Sequence, residues 1–238
     1  SGITPQFCST EHFDILEIDK AMHYFYDFTG SSISCQVYDW SQGGIWIAGG
    51  STFYAADLAD DGIYGHYVLW GNTIELHQDA GQSINLLGNI SINGGEFIID
   101  GGNDLSRWGE YGNASLFMNA GILDIKGYGL TINDAYPYAF TGSISGGTIR
   151  TQGSFITQSP GFNPIGGLVE FYGTGNHLMQ TLNGSSFYNV KVNRSDNFLR
   201  RLSVYSSVVK NNFIIEEGMA EVTFGSELQC GNNLEIQD

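Results

Sequence analysis

The chain is poor in basic residues. Nine Lys+Arg stand against 25 Asp+Glu, giving a formal net charge of −16. Nucleic acid is therefore not an expected partner, because phosphate binding requires a basic face. The same deficit argues against an anionic membrane surface. Neutral glycans, cationic surfaces and calcium remain compatible with this charge balance.

Long apolar runs are also missing. No stretch of about 18 apolar residues occurs, so we expect no transmembrane helix and no membrane insertion. No secretion signal is visible either. The chain begins with Ser1 and Gly2, which is typical of a mature terminus or a cloning remnant, so a missing signal says nothing against secretion.

Cysteine is scarce, with three residues in 238. Cys8, Cys35 and Cys230 form no C-x-x-C metal pair. A Cys8–Cys35 disulfide that leaves Cys230 free would suit an oxidising compartment. The alternative is three buried thiols that act as small hydrophobic groups.

Proline is scarce at 4 residues, whereas glycine reaches 33. That glycine content is close to twice the usual share of about 7%. Together with 42% hydrophobic and 13% aromatic residues, it indicates many tight turns between short buried strands. Neither a collagen pattern nor a disordered Pro/Gly tract fits this composition.

An internal repeat is the strongest signal in the sequence. A small residue followed by a short apolar strand recurs with its leading glycines 27, 24, 26, 26 and 20 residues apart, at Gly44, Gly71, Gly95, Gly121, Gly147 and Gly167. The pattern continues at Ser186 and Gly218. Two or three strands per repeat predict an all-β fold, a right-handed parallel β-helix or β-solenoid, with glycine at corners that need positive φ.

Other folds fit the spacing less well. A β-sandwich predicts strands every 8–12 residues, and a propeller needs about 40 residues per blade. An α/β domain needs helical stretches between strands, and none of 10–15 residues follows Ala48.

The repeat also suggests a domain division. Residues 1–40 are interpreted as an N-terminal cap or a divergent first coil, with Asp19–Tyr26 as a short helix capped by Asp19 or as a wide strand. Residues 41–238 are interpreted as β-helix coils. Because the sequence stops inside a coil, we expect further coils of the same parent chain.

Residues 166–180 and 184–193 carry a resemblance. They read Gly166-Gly-Leu-Val-Glu-Phe-Tyr-Gly-Thr-Gly-Asn-His-Leu-Met-Gln180 and Gly184-Ser-Ser-Phe-Tyr-Asn-Val-Lys-Val-Asn193. This pattern resembles repeats in large secreted or surface proteins of Bacteroidetes-type bacteria. The resemblance implies a secreted or cell-surface location and an adhesive role, and it implies no catalytic residues.

Enzymatic chemistry is the alternative to an adhesive role. A polysaccharide lyase or glycoside hydrolase on this fold would align carboxylates from neighbouring coils, with calcium or a basic residue nearby. Arg107 and Arg150 are available as the basic residue. Solvated turns are the favoured interpretation of the candidate acids, which are Asp57, Asp60, Asp61, Asp79, Asp100, Asp104 and Asp124.

Two loops have the composition of a weak calcium site. Asp57, Asp60 and Asp61 precede Gly62, and Asp100 and Asp104 flank a Gly-Gly-Asn run. Closely spaced oxygen ligands suit calcium. Neither loop matches an EF-hand, however, and ordinary turn chemistry is the favoured interpretation of both. No cofactor is expected beyond calcium, and no H-x₃-H pair supports zinc.

Aromatic residues suggest a carbohydrate contact. A polar insertion at residues 102–112 contains Trp108 and Tyr111, and a second cluster contains Tyr64 and Tyr67. Exposed rings provide apolar faces for stacking. We expect Trp108 to be exposed and Trp70 to stack inside the coil.

The first functional interpretation is therefore a non-enzymatic, structural or adhesive segment of an exported surface protein. Its expected partners are an extracellular glycan or another surface protein. The coils shorten from about 26 to about 20 residues after Gly147. Longer loops, and any binding surface, are therefore expected in the N-terminal two-thirds.

Overall fold

The structure is a computed structural model that describes residues 10–19, 25–27, 32–42, 44–48, 52–58, 62–77, 84–100, 106–194 and 201–237. Within these residues the chain forms strands and no helix. The strands are β1 (Thr10–Asp19), β2 (Phe25–Asp27), β3 (Ser32–Gln42), β4 (Gly44–Ala48), β5 (Thr52–Leu58), β6 (Gly62–Trp70), β7 (Asn72–His77), β8 (Asn85–Asp100), β9 (Ser106–Trp108), β10 (Ala114–Lys126), β11 (Gly129–Ile132), β12 (Phe140–Ile144), β13 (Thr148–Thr151), β14 (Ser154–Thr157), β15 (Leu168–Tyr172), β16 (His177–Thr181), β17 (Asn189–Asn193), β18 (Leu202–Val204), β19 (Ser207–Val209), β20 (Phe213–Glu217), β21 (Ala220–Val222), β22 (Leu228–Cys230) and β23 (Leu234–Ile236).

Parallel pairing arranges these strands on three faces, except β19 and β22, which pair with each other in a separate two-stranded sheet. Face A contains β1, β3, β5, β7, the ends of β8 and β10, β13, β15, β17, β20 and β23. Face B contains β2, β4, the end of β6, the middle of β8, the start of β10 and β12. Face C contains the starts of β6 and β8, then β9, β11, β14, β16, β18 and β21. The predicted β-solenoid is confirmed.

The corner before face A is built from glycine. Gly95, Gly121, Gly147 and Gly167 each precede the face A strand of their coil and have φ between 77° and 82°, a conformation that side chains rarely adopt. Gly44 does not belong to this column, because it begins β4 and pairs with His66 on face B. The predicted grouping of Gly44 with the other glycines is therefore wrong.

Coil length follows directly from the register of face A. Residues in one column lie 21, 23, 26, 26, 20 and 21 positions apart, in the order Thr52, Thr73, Glu96, Ile122, Thr148, Leu168 and Asn189. The predicted shortening after Gly147 is confirmed. Both 26-residue coils of this series lie in the N-terminal two-thirds, where the longer loops were expected, and the two coils before them have 21 and 23 residues.

The core is a stack of inward side chains one coil apart. Face A contributes aliphatic residues at aligned positions, for example Leu123, Ile149 and Val169. Aromatic rings fill the interior beside faces B and C. Phe162 lies 5.3 Å from the Phe155 ring centre and 5.9 Å from the Phe187 ring centre. Such contacts stabilise the stack beyond the apolar area that they bury.

The N-terminal region is built on the same ladder. β1 pairs with β3, and β2 pairs with β4, all in parallel. Phe25 and Tyr26, which end the predicted Asp19–Tyr26 segment, are strand residues. Cys8 lies outside the described residues, so the Cys8–Cys35 disulfide stays a prediction, and Cys230 is a free thiol.

Candidate functional site

Trp108 is a core residue. It is 1% exposed, and its ring stacks on Phe140 at 5.7 Å. β9 aligns Trp108 with the buried Ile132 of the next coil, and side chains alternate along a strand, so Arg107 points outward and Trp108 inward. The expectation that Trp108 is exposed is therefore wrong.

The second aromatic cluster is also rearranged. Tyr67 is buried, with its ring edge-on to Phe97 at 5.3 Å. Trp70, expected inside the coil, is 54% exposed, because it follows the inward Leu69 in the strand alternation. Tyr64 lies on β6, and its side chain is outside the described part of the structure.

Among the predicted carbohydrate-contact residues whose side chains the structure describes, only Tyr111 lies at the surface, at 52% exposure. Its hydroxyl oxygen accepts a hydrogen bond of 3.1 Å from Nη1 of Arg107. The same nitrogen lies 3.2 Å from Oε1 of Glu110. Arg107 therefore orients the Tyr111 side chain, while Glu110 balances the guanidinium charge.

Two further tyrosines lie close to Tyr111 in the fold. Residues 109–113 and 133–139, here called the tyrosine loops, occupy the same corner of neighbouring coils, between faces C and B. Tyr136 is fully exposed and Tyr138 is 41% exposed. In the sequence, the Tyr-Pro-Tyr run at residues 136–138 marks this corner, although neither tyrosine was among the predicted site residues.

Hydrogen bonds hold the two tyrosine loops together. The backbone N–H of Ala135 donates to the Gly109 carbonyl at 3.3 Å, and the N–H of Ala139 donates to Oδ1 of Asn113 at 3.0 Å. Within the second loop, the N–H of Phe140 donates to Oδ1 of Asp134 at 2.9 Å. The tyrosines are thus presented on a fixed backbone.

Gly109 is required for this close approach. A Cβ at this position would collide with the Asn133 carbonyl oxygen and would lie 3.2 Å from Cβ of Phe140. Its φ of +77° adds a second reason for glycine.

Face A carries a charged surface on the outside of β10, β13 and β15. Asp124 pairs in register with Arg150, and Arg150 with Glu170. The Arg150 guanidinium lies 3.7 Å from the Asp124 carboxylate, 3.4 Å from Glu170 and 3.8 Å from Glu96. One arginine thus links acids from three other coils.

Tyr172 completes this cluster. Its hydroxyl donates a hydrogen bond of 2.6 Å to Oδ1 of Asp124, and the Arg150 guanidinium carbon lies 4.4 Å above its ring. The Asp124 side chain is only 5% exposed although it points outward. Burial, followed by the hydrogen bond to Asp124, raises the pKa of Tyr172 well above its ordinary value.

The charge pattern continues at Lys191. Its Nζ lies 3.1 Å from Glu170 and 2.8 Å from Glu216. The hydrogen bond to Glu216 is the main cause that raises the pKa of Lys191. On this face the cations of β13 and β17 are therefore already neutralised by carboxylates of adjacent coils.

The weak calcium prediction has no counterpart in the described residues. No group of three or more His, Cys, Asp or Glu side chains there could hold a metal ion. Asp57 lies on β5 with its side chain outside the description, and Asp60 and Asp61 lie outside the described residues. Calcium binding by these three aspartates stays a prediction.

Comparison with known proteins gives no family. No family model, no curated protein and no solved structure matches the chain. In the part of the chain that the structure describes, no helix is long and apolar enough to cross a membrane.

Proposed function

We propose that the chain is a non-catalytic β-solenoid segment of an exported surface protein, and that it contacts neutral carbohydrate through the tyrosine loops. The observation that carries this proposal is the exposure of Tyr111, Tyr136 and Tyr138 on two hydrogen-bonded loops. Amphipathic aromatic rings present an apolar face and a polar tip, which matches the alternating C–H and hydroxyl surfaces of a sugar.

Charge favours a neutral ligand. The chain carries a net charge of −16, which repels polyuronates and sulfated glycans. Arg107, the cation beside Tyr111, is engaged by Glu110 at 3.2 Å. The loops therefore offer stacking surfaces and hydroxyl groups without an excess positive charge.

The test is a binding measurement on the full chain. Isothermal titration with cellohexaose, mannohexaose and xylohexaose is compared with titration of a galacturonic acid hexamer. The proposal predicts measurable binding of a neutral oligosaccharide and weaker binding of the acidic one. The double variant Tyr111→Ala/Tyr136→Ala is expected to weaken binding about tenfold or more, as loss of stacked aromatic anchors does.

A matched control is available on the same molecule. Tyr128 is exposed to the same degree as Tyr111 but lies on the turn between β10 and β11, away from the tyrosine loops. Tyr128→Ala is expected to leave affinity unchanged. Equal affinity of the wild type and the Tyr111/Tyr136 variant would remove the tyrosine loops from the proposal.

The surface location has its own test. An antibody raised against the chain should label intact cells of the source organism, and protease added outside the cells should remove that signal. Labelling that appears only after cell lysis would contradict an exported location.

Polysaccharide cleavage is a second candidate, favoured by the Asp124, Arg150 and Tyr172 cluster. The cluster contains a phenol hydrogen-bonded to an acid and a cation 3.7 Å from that acid, and acid–base catalysis uses groups of these kinds. Their mutual pairing argues instead for a structural role, because each group satisfies another. Reducing-end or unsaturated-product assays on the same four oligosaccharides test this candidate, and turnover that Tyr172→Phe abolishes would establish it over the binding function.

A further inference from the structure

A groove lies on the outer side of face A, beside the glycine corner. It is bordered by Gly167, Leu168, Asn189, Lys191, Asn212 and Ile214, and its volume is about 460 Å³. Small-molecule sites in proteins usually have about 300–1,000 Å³. The groove is separate from the tyrosine loops, which occupy the corner between faces C and B.

Beside the groove, the corner consists of glycine on two successive coils. Gly147 and Gly167 occupy the corner of adjacent coils with φ of +79° and +82°. A Cβ at Gly167 would lie 3.1 Å from the carbonyl oxygens of Gly146 and Gly147. The coils therefore pack closely at this corner, and Leu168 and Ile214 supply apolar surface beside it.

The rim of the groove is held by a ladder of asparagines. Nδ2 of Asn189 donates to the Gly167 carbonyl at 2.9 Å, and Nδ2 of Asn211 donates to Oδ1 of Asn189 at 2.8 Å. The backbone N–H of Asn212 reaches the same oxygen at 3.4 Å. A rim fixed in this way loses little conformational freedom when a ligand binds.

Lys191 sets the charge of the groove. The Lys191 ammonium lies 3.1 Å from the Glu170 carboxylate and 2.8 Å from the Glu216 carboxylate. No unbalanced positive charge therefore faces the groove. An ammonium has three donors, and two carboxylate partners leave a third N–H for a neutral acceptor.

We infer that this groove binds one unit of a neutral sugar, as a second contact separate from the tyrosine loops. The C–H face of the sugar ring packs on Leu168 and Ile214, and a ring hydroxyl accepts the third proton of Lys191. The inference rests on the proposed function for its ligand class only, because the residues of the two sites do not overlap.

The experiment replaces the two apolar residues of the groove, Leu168 and Ile214, by residues that also favour a β-strand. Leu168→Thr/Ile214→Thr substitutes strand-compatible polar residues at outward positions. Titration with the neutral hexasaccharides is expected to show about tenfold weaker binding, since the apolar area on both residues is reduced. Ile122→Thr/Ile156→Thr is the matched control, because both residues point outward on other coils, and its affinity is expected to equal the wild type's.

Lys191 provides an independent readout. Lys191→Met keeps the stem and removes the donor, so it is expected to weaken binding, whereas Lys191→Arg retains donors and is expected to restore most of the affinity. Urea unfolding of each variant shows that the fold is retained.

The outcomes separate the groove from the tyrosine loops. Unchanged affinity in Leu168→Thr/Ile214→Thr, with weakened affinity in Tyr111→Ala/Tyr136→Ala, overturns the groove and leaves the proposed function standing. Weakened affinity in Leu168→Thr/Ile214→Thr alone supports the groove and shows that the tyrosine loops are not a binding site. Failure of every neutral oligosaccharide to bind the wild type overturns both.

Discussion

The hydroxyl of Tyr172 donates a 2.6 Å hydrogen bond to the carboxylate of Asp124, two coils earlier along face A. Asp124 points outward and is nevertheless almost completely covered. This bond and the Arg150 guanidinium beside it fasten β10, β13 and β15 together across the outside of the sheet, in addition to the backbone ladder.

Tyr172→Phe removes this hydrogen bond and little apolar surface. A hydrogen bond to a charged group stabilises a fold by about 1.5–3 kcal/mol, and partial exposure places this case near the lower end. We expect the free energy of unfolding in urea to fall by about 1.5 kcal/mol. The same substitution at the exposed turn residue Tyr128 is the control, and an equal loss in both variants would contradict the interaction.

Alkaline pH should weaken the wild type more than Tyr172→Phe. The pKa of Tyr172 is raised in the folded protein, so the folded state holds its proton more tightly than the unfolded chain does. Its stabilisation is fully present below about pH 10, the ordinary tyrosine pKa, and is lost as pH rises towards the folded pKa. The difference in urea midpoint between the two proteins should stay constant from pH 8 to about pH 9.5 and shrink above about pH 10, and a difference that does not change up to pH 11 would count against this linkage.

Arg150→Met tests the arginine that links several coils. The substitution leaves the nearly buried Asp124 carboxylate without its cation, which is costly for a buried charge, although partial exposure of Arg150 moderates the loss. We expect about 2 kcal/mol of destabilisation in urea. Arg150→Lys should recover only part of this stability. The compact lysine ammonium lacks the planar guanidinium that contacts Glu96, Asp124 and Glu170 together.

Gly109→Ala tests how closely the tyrosine loops must pack. The added methyl group meets the Asn133 carbonyl and also occupies a positive-φ position. Gly184→Ala is the matched control, because Gly184 has φ +81° with open space around its Cβ position. We expect about 1 kcal/mol of destabilisation for Gly184→Ala from the backbone alone, and about 1–3 kcal/mol more for Gly109→Ala. Similar values for both would show that the loops relax freely.

Phe162→Ala tests the interior aromatic stack. Truncation of a buried phenylalanine costs about 3–5 kcal/mol, and Phe162 contacts the rings of Phe140, Phe155 and Phe187. Phe224→Ala provides the same substitution at a fully exposed residue, where we expect a change within about 0.5 kcal/mol. Unfolding in guanidinium measures both.

The fold was predictable because the spacing of the glycines gives the length of each coil. Gly95, Gly121, Gly147 and Gly167 mark one corner, and the apolar residues after them mark the inner face. Gly44 resembles these glycines because it also precedes a short apolar strand, but its column continues with His66 and Asn89 on face B. Only the strand pairing of β4 with β6 separates the two columns.

The candidate site was less predictable, for two physical reasons. The inward or outward direction of Trp108 depends on the register of β9 against β11, and no glycine-led repeat in residues 102–112 marks that register in the sequence. The charged surface is visible in the sequence as a spacing. Asp124, Arg150, Glu170 and Lys191 follow one another at intervals of one coil length, which places them in one column.

The length of the tyrosine loops does not affect the ladder on either side of them. Strand β12 stays in register with β10 across a connection of seven residues, whereas the preceding coil crosses the same corner, from β9 to β10, in five. Chain added at this corner leaves the solenoid without a shift in any strand. The corner is thus a natural insertion point, where foreign peptides or new recognition loops can be grafted onto a scaffold that continues unchanged above and below.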